Sequence, residues 1–383
     1  MENTSRAGEA LPLRFVSSTH PEPRKKAAHK KSRGGCASCK KRKVKCDESH
    51  PCRNCIRRNE ACVPSPSPDA RDSLPAPGPP DSSGPVNLLH MELFHHFQHA
   101  TIPTLCFADI WPSAIPLAFE EEYLATAMLA VSARHLSVLR PRETAYAEAA
   151  TALLSRSCSI FSTVLDRGDK YDPLFFTAQL VHYLAWCDLE SLPDGPALDL
   201  SRDRLFLLGS GVRVFLSGTR AQGPDSIFSA SSQTSQCDAL GLIVTEQGLD
   251  RGGIVEGFMA RYDELTAGAS PDERAAFRGI VNLLSVIMAL RAHRETNARP
   301  IERSDLERYT LAFPLFCSGP FLDMIVSNDS RALLVLYHFY TTSQLLLGGR
   351  PPWWASGRMK TMSRLIKQEL ARRQLETSVA GLD

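Results

Sequence analysis

A mainly α-helical chain in unequal parts is expected here: a small N-terminal unit around clustered cysteines, a Pro/Ser-rich linker, and a large all-α body. Three observations carry that expectation. Six of the 11 cysteines fall between positions 36 and 62. A tract rich in Pro and Ser follows, from 64 to 85. Beyond it, apolar residues recur at intervals of three and four, as in Val86, Leu89, Leu93 and Phe97, while strand-like alternation is scarce.

Charge divides the chain the same way. The 383 residues carry a formal +2 in all. Residues 24–62 alone hold 14 Lys and Arg against 3 Asp and Glu, a formal +11, so the remainder carries 2 − 11 = −9. A basic head on a mildly acidic body predicts a polyanionic partner for the head. Residues 1–20 lack the apolar core and small-residue cleavage site of a secretory signal, and no apolar run approaches the ~20 residues of a membrane span. A soluble intracellular protein is therefore expected, with its thiols reduced and its clustered cysteines serving as metal ligands rather than disulfides.

Taken in order, residues 1–32 read as a disordered basic arm. Arg24, Lys25, Lys26, Lys30 and Lys31 within it form a candidate nuclear-import signal or DNA-contacting arm.

Residues 33–63 are the cysteine unit. Cys36, Cys39 and Cys46 recur sixteen residues later as Cys52, Cys55 and Cys62. Zinc takes four ligands tetrahedrally, and a C-x-x-C pair supplies two of them from one turn. A single ion would leave two sulfurs over and break the repeat. Two ions offer eight ligand positions, which six sulfurs fill only if two of them bridge both metals. The repeat requires the bridging pair to be equivalent under the sixteen-residue offset and leaves open which pair it is. Each C-x-x-C is expected to open a short helix, running through Lys40–Lys45 in one half and Ile56–Ala61 in the other, with Pro51 turning the link between them. So small a unit has little apolar core, so metal is expected to supply its folding energy. Five of the six residues Lys40-Lys41-Arg42-Lys43-Val44-Lys45 are cations, against two in Ile56–Ala61. The first half is thus the better candidate for reading nucleic acid, with Arg and Lys donating to guanine O6 and N7 or to phosphates. Residues 24–62 contain no Phe, Tyr or Trp, which argues against single-stranded RNA as the ligand.

Residues 64–85 read as an extended linker with no sustained heptad, so any dimerisation is expected of the later domain. From 86 to 383 an all-α regulatory domain is expected, with helices near 119–139, 144–165, 172–189, 201–216, 271–294, 303–311, 329–347 and 356–376. The Gly-, Ser- and Gln-rich stretch 217–253 reads as a mobile loop. His95 and His99 stand four residues apart on the helix that begins at Val86, but neither a carboxylate nor a third histidine is placed to complete a metal site. Phosphate-binding glycine loops, G-x-S-x-G and H-E-x-x-H are absent, and Cys187 and Cys317 read as buried thiols, so no enzyme is expected.

The spacing C-x2-C-x6-C-x5-C-x2-C-x6-C, with its basic segment and Pro51, resembles the fungal binuclear zinc-cluster (Zn(2)-Cys(6)) transcription factors over residues 33–62. The resemblance implies two Zn2+ ions, with Cys36 and Cys52 as the bridging ligands, Cys39 and Cys46 completing one site, and Cys55 and Cys62 the other. It further implies a nuclear, RNA polymerase II-type regulator that reads CGG-like triplets in double-stranded DNA. Base contacts would fall at Arg42 and Lys43, and phosphate contacts at Lys41, Lys45 and Arg53. Leu88–Phe97 and Leu333–Tyr340, with Trp353 and Trp354, resemble the sterol-uptake-control branch of these regulators. That likeness implies an all-helical C-terminal domain, which is expected here to be an effector domain that docks coactivators or transcription machinery. The alternative is a metabolite- or sterol-sensing regulator whose C-terminal domain takes an apolar small-molecule ligand.

Overall fold

A computed structural model describes residues 35–63 and 86–379, apart from 166–169, 191, 193–196, 222–225, 228–239, 241–243, 246–249, 266–269, 296–300 and 350. The basic arm with Arg24, Lys25, Lys26, Lys30 and Lys31, and the linker 64–85, lie outside the described residues. The chain divides into two compact units, one ending at Val86 and one beginning at Asn87. All the regular structure among the described residues is helical.

The second unit begins with α3 (Leu88–His96), whose N-cap Asn87 accepts from the His90 N–H. Next come α4 (Trp111–Glu120), α5 (Glu122–Leu139), α6 (Thr144–Val164) and α7 (Tyr171–Cys187). Helix α5 is buried on nearly every face, and its Ala127, Ala130 and Ala133 let α6 and α7 approach closely. It stops at Arg140, where the following Pro141 disfavours helical backbone. The helix expected to start at 119 is divided at Glu121, which is extended (φ −119°, ψ 101°), and the chain is already helical from Trp111. Pro112 sits in the first turn of that helix, where no N–H is needed, and Pro116 lies inside it.

After α8 (Arg204–Leu207), α9 (Gly209–Ala221) and α10 (Arg251–Leu265) run into the stretch expected as a loop at 217–253, and Leu240 and Val244 between them are buried. Gly218, inside the stretch expected as a loop, and Gly209, inside the helix expected over 201–216, both serve close packing. A Cβ at Gly209 would lie 2.8 Å from the Pro314 carbonyl oxygen, and one at Gly218 would lie 2.3 Å from the Tyr171 ring. Residues 222–225, 228–239, 241–243 and 246–249 of that stretch are outside the described residues.

The C-terminal half comprises α11 (Pro271–Glu295), α12 (Arg303–Leu311), the short α13 (Phe313–Phe316) and α14 (Pro320–Val326), then α15 (Ser330–Leu346) and α16 (Trp353–Arg372). One correction concerns α11, which by length and composition alone is apolar enough to cross a membrane. It places Phe277, Val281, Leu284, Ile287 and Leu290 in the same core as α15, so it packs as a core helix. Of the histidines on the first helix, His95 and His99 place their ring centroids 4.6 Å apart. His96 instead meets His135 of α5 at 3.3 Å. The thiols of Cys187 and Cys317 are pushed up by burial, Cys187 to about 11, which keeps both protonated near neutrality.

The end of α16 makes the body sensitive to acid. Glu369 accepts from Arg372 at 2.6 and 2.9 Å, from Arg373 at 2.7 Å and from the Leu198 N–H at 3.3 Å. Arg372 foremost, with Arg373, holds its carboxyl at about 2 against an ordinary 4.5. A depressed carboxylate contributes stability that is complete above the unfolded value and lost as pH falls through the folded one. Helical-domain stability is therefore expected to fall between about pH 4.5 and 2, with Glu369 responsible for about 2 kcal/mol after allowing for the half-exposed Arg372. Denaturant titrations of the chain and of Glu369→Gln at pH 7, 4.5 and 3 test this. An unchanged pH slope in the variant would remove Glu369 from the account.

Candidate metal centre and nucleic-acid interface

Each half of the cysteine unit begins with a cysteine in extended backbone, Cys36 (φ −60°, ψ 154°) and Cys52 (φ −71°, ψ 150°), acting as N-cap of a short helix. Helix α1 spans Ala37–Lys41 and α2 spans Arg53–Ile56, so the second sulfur of each C-x-x-C lies one turn on, beside the first. Cys36 Sγ lies 3.8 Å from Cys52 Sγ and 3.7 Å from Cys55 Sγ, and Cys39 Sγ lies 3.7 Å from Cys52 Sγ. A tetrahedron with Zn–S bonds of about 2.3 Å has an edge of about 3.8 Å, so the sulfurs are spaced as zinc ligands. The third cysteines close over the pair. Cys46 Sγ accepts the Cys36 N–H at 3.5 Å, and Cys62 Sγ accepts the Cys52 N–H at 3.3 Å. Five of the six cysteines are buried and form the core of the unit, with Cys62 packed against them. Among the described residues of this unit the buried core is made of the ligands themselves, as expected of a unit held together by metal.

Local electrostatics separates the sulfurs into two kinds. The Cys39 N–H draws the Cys36 thiol below its ordinary value, and the Cys55 N–H does the same for Cys52. Burial pushes Cys39 up to about 12 and raises Cys55 as well. Thiolates therefore form more readily at these two helix-capping positions than at Cys39 and Cys55, where metal entry must displace protons.

The sixteen-residue repeat extends to the backbone and to the contacts between halves. Helix α1 ends in a Schellman turn: the Lys43 N–H donates to Lys40 O at 3.1 Å and the Val44 N–H to Cys39 O at 3.1 Å. Helix α2 ends identically, from Asn59 to Ile56 O at 3.0 Å and from Glu60 to Cys55 O at 3.1 Å. These turns end both helices earlier than expected, so Val44 and Lys45, like Glu60 and Ala61, are not helical. Ser38 Oγ donates to Ala61 O at 2.9 Å, and its repeat-mate Asn54 donates through Nδ2 to Lys45 O at 2.8 Å. Each half thus reaches across to the residue before the other's third cysteine. Neither cross-link was foreseen, although Ser38 and Asn54 stand at the same offset as the cysteines.

The predicted nucleic-acid residues fare differently from one another. Lys41, Lys43 and Lys45 are exposed, and the Arg53 side chain is 94% exposed. Lys43 has φ 57°, in the left-handed region, as does its mate Asn59 at 51°. Arg42 departs from expectation. Its guanidinium is folded onto the unit, with Nε donating to Ser38 O at 3.2 Å, Nη2 lying 3.7 Å from Cys55 Sγ, and Nη1 paired with Glu60.

Comparison with known proteins agrees with this centre. Residues 34–72 match the fungal Zn(2)-Cys(6) binuclear cluster domain. A Zn(2)-C6 fungal-type transcription factor of Aspergillus fumigatus, afumD, is 28% identical over 340 residues, spanning 82% of this chain and 86% of its own. Another, from Gibberella zeae, is 32% identical over 41% of this chain and 47% of its own. Sterol uptake control protein 2 of Saccharomyces cerevisiae is 46% identical over 62 residues, 15% of this chain and 7% of its own. No solved structure matches the chain. The cluster and these relatives define a zinc-dependent DNA-binding transcription regulator, not an enzyme. More particularly, residues 34–72 carry a domain of the Zn(2)-Cys(6) binuclear cluster kind, which binds two zinc ions.

Proposed function

We propose that residues 33–63 read a CGG-like triplet in duplex DNA through Lys43, and that the helical body is the regulatory domain. Cys36 and Cys52 are the shared ligands in this reading, Cys39 and Cys46 complete one zinc site, and Cys55 and Cys62 the other. The sulfur contacts support that assignment, since Cys36 meets Cys55 and Cys52 meets Cys39 across the halves. Lys41, Lys45 and Arg53 bind phosphates. The regulator acts in the nucleus, with Arg24, Lys25, Lys26, Lys30 and Lys31 directing import.

One observation carries the base-reading assignment. The same turn ends both helices, and its left-handed position holds Asn59 in one half and Lys43 in the other. Asn tolerates that backbone, whereas other L-residues pay about 1 kcal/mol or more there. A strained lysine on the more basic half, exposed at the end of a helix, marks a side chain retained for what it contacts. Lys43→Asn is therefore expected to keep zinc and fold as well as the unsubstituted chain. It should nonetheless lose about 1–3 kcal/mol of preference for CGG-containing over scrambled duplex. Lys45→Ala should weaken both duplexes alike and lower the salt slope by about one. Equal losses on both duplexes for Lys43→Asn would refute its role as base reader.

A further inference from the structure

We infer that Arg42 is a positioning residue of the zinc cluster, clamping its two halves together and donating to a ligand sulfur, rather than a base reader. The inference rests on the zinc reading above and adds a residue to it.

Three contacts leave the guanidinium little freedom. Nε is held at 3.2 Å by Ser38 O, the carbonyl one turn back in its own helix. Nη1 is paired with Glu60, in the other half. Nη2 lies 3.7 Å from the Sγ of Cys55, also in the other half. The side chain is 24% exposed, unlike the exposed Lys41 and Lys43 on either side of it. Reading a base would require breaking an ion pair and two hydrogen bonds.

The repeat shows that this clamp was added to the symmetric scaffold. Under the sixteen-residue offset Arg42 corresponds to Arg58, and Glu60 corresponds to Val44. Arg58 therefore meets no acid at the equivalent position, and the link exists in one direction only. Its chemistry suits the cluster. Six thiolates around two divalent ions carry a net charge of −2, and a guanidinium offsets part of it without competing for metal. Its N–H draws electron density from the Cys55 sulfur, and such outer contacts are worth about 10–100-fold in metal affinity.

The test uses the full chain loaded with zinc or with cobalt(II), comparing Arg42→Ala and Glu60→Ala with the unsubstituted protein. Two metal ions per unsubstituted chain establish the zinc reading separately, so its failure is distinguishable from failure of the clamp. Arg42→Ala is expected to give up zinc to a competing chelator at about tenfold lower chelator concentration. In the cobalt form its thiolate-to-metal charge-transfer band should move to lower energy, because the sulfur has lost an N–H donor. Affinity for CGG-containing and scrambled duplex should fall by the same factor. Glu60→Ala, at a half-exposed residue that leaves the ligands intact, should loosen zinc in the same direction. Unchanged zinc retention in both variants would overturn the inference. So would an Arg42→Ala chain with an unmoved charge-transfer band that loses only its preference for the specific duplex.

Discussion

Stripping zinc from the intact chain is expected to unfold residues 35–63, abolish specific DNA binding and leave the helical body standing. Structural zinc supplies about 10–16 kcal/mol to small units of this kind, and here the buried core is made of the ligands themselves. Without metal the buried sulfurs lose what offsets the entropy of ordering the chain around them. The second unit has a core of its own, built on α5, α7, α11 and α15, and needs no cysteine ligand. A chelator titration should therefore show helical circular dichroism nearly unchanged while affinity for a CGG-containing duplex falls to that for random sequence, a loss of about 10³-fold or more. Six further cysteines should become open to alkylation, and zinc readded before any alkylating agent should restore specific binding and protect them again. Cys106 and Cys317 provide an internal control, since burial raises both thiols and keeps them protonated in the folded body. Specific binding that survives complete removal of zinc would sink the mechanism.

How much of this was legible beforehand follows from which interactions are local. The cluster could be read because its ligands lie within 27 residues and C-x-x-C geometry is set by one helical turn. The long helices α5, α6, α11, α15 and α16 could be read because each carries a sustained apolar face. Reading failed where a distant partner decides the outcome. Gly218 looked like a loop residue, yet it lies in a helix beside the Tyr171 ring, which takes the space a Cβ would need. The ion pair of Arg42 could not be read from the lysines around it, since its partner Glu60 is eighteen residues away in the other half. The short helices of the cluster ended early because a Schellman turn, not side-chain propensity, sets their length. Ser38 and Asn54 were legible in principle, since the cysteine offset maps one onto the other.

The most extreme such pairing lies inside the body, and it sets the largest single-residue effect expected there. Arg358 of α16 meets Asp203 at 2.8 Å, and both side chains are 0% exposed. Nothing in either local sequence announces the pair, which is 155 residues apart. Arg358 also donates to the carbonyls of Ala185 and Trp186, each at 3.3 Å, and to that of Asp188. It thereby satisfies the free end of α7. Asp203 in turn caps α8, accepting the Leu205 N–H at 3.0 Å. Burial, and behind it the Arg358 charge, holds the neighbouring His182 down to about 3, so that ring stays neutral and adds no competing cation. Arg358→Met leaves a buried carboxylate and three carbonyls without their donor, and is expected to lower stability by about 3–5 kcal/mol. Asp203→Asn keeps the cap and a polar contact, so its loss should lie at the lower end of that range. In the double variant the losses should not add, because whichever change comes first already breaks the pair. Urea midpoints followed by helical circular dichroism measure all three. Zinc retention should be the same in each, because the body's core and the cluster's ligands share no residue. Losses below about 0.5 kcal/mol, the size of an ordinary surface change, would mean the pair is not buried as described.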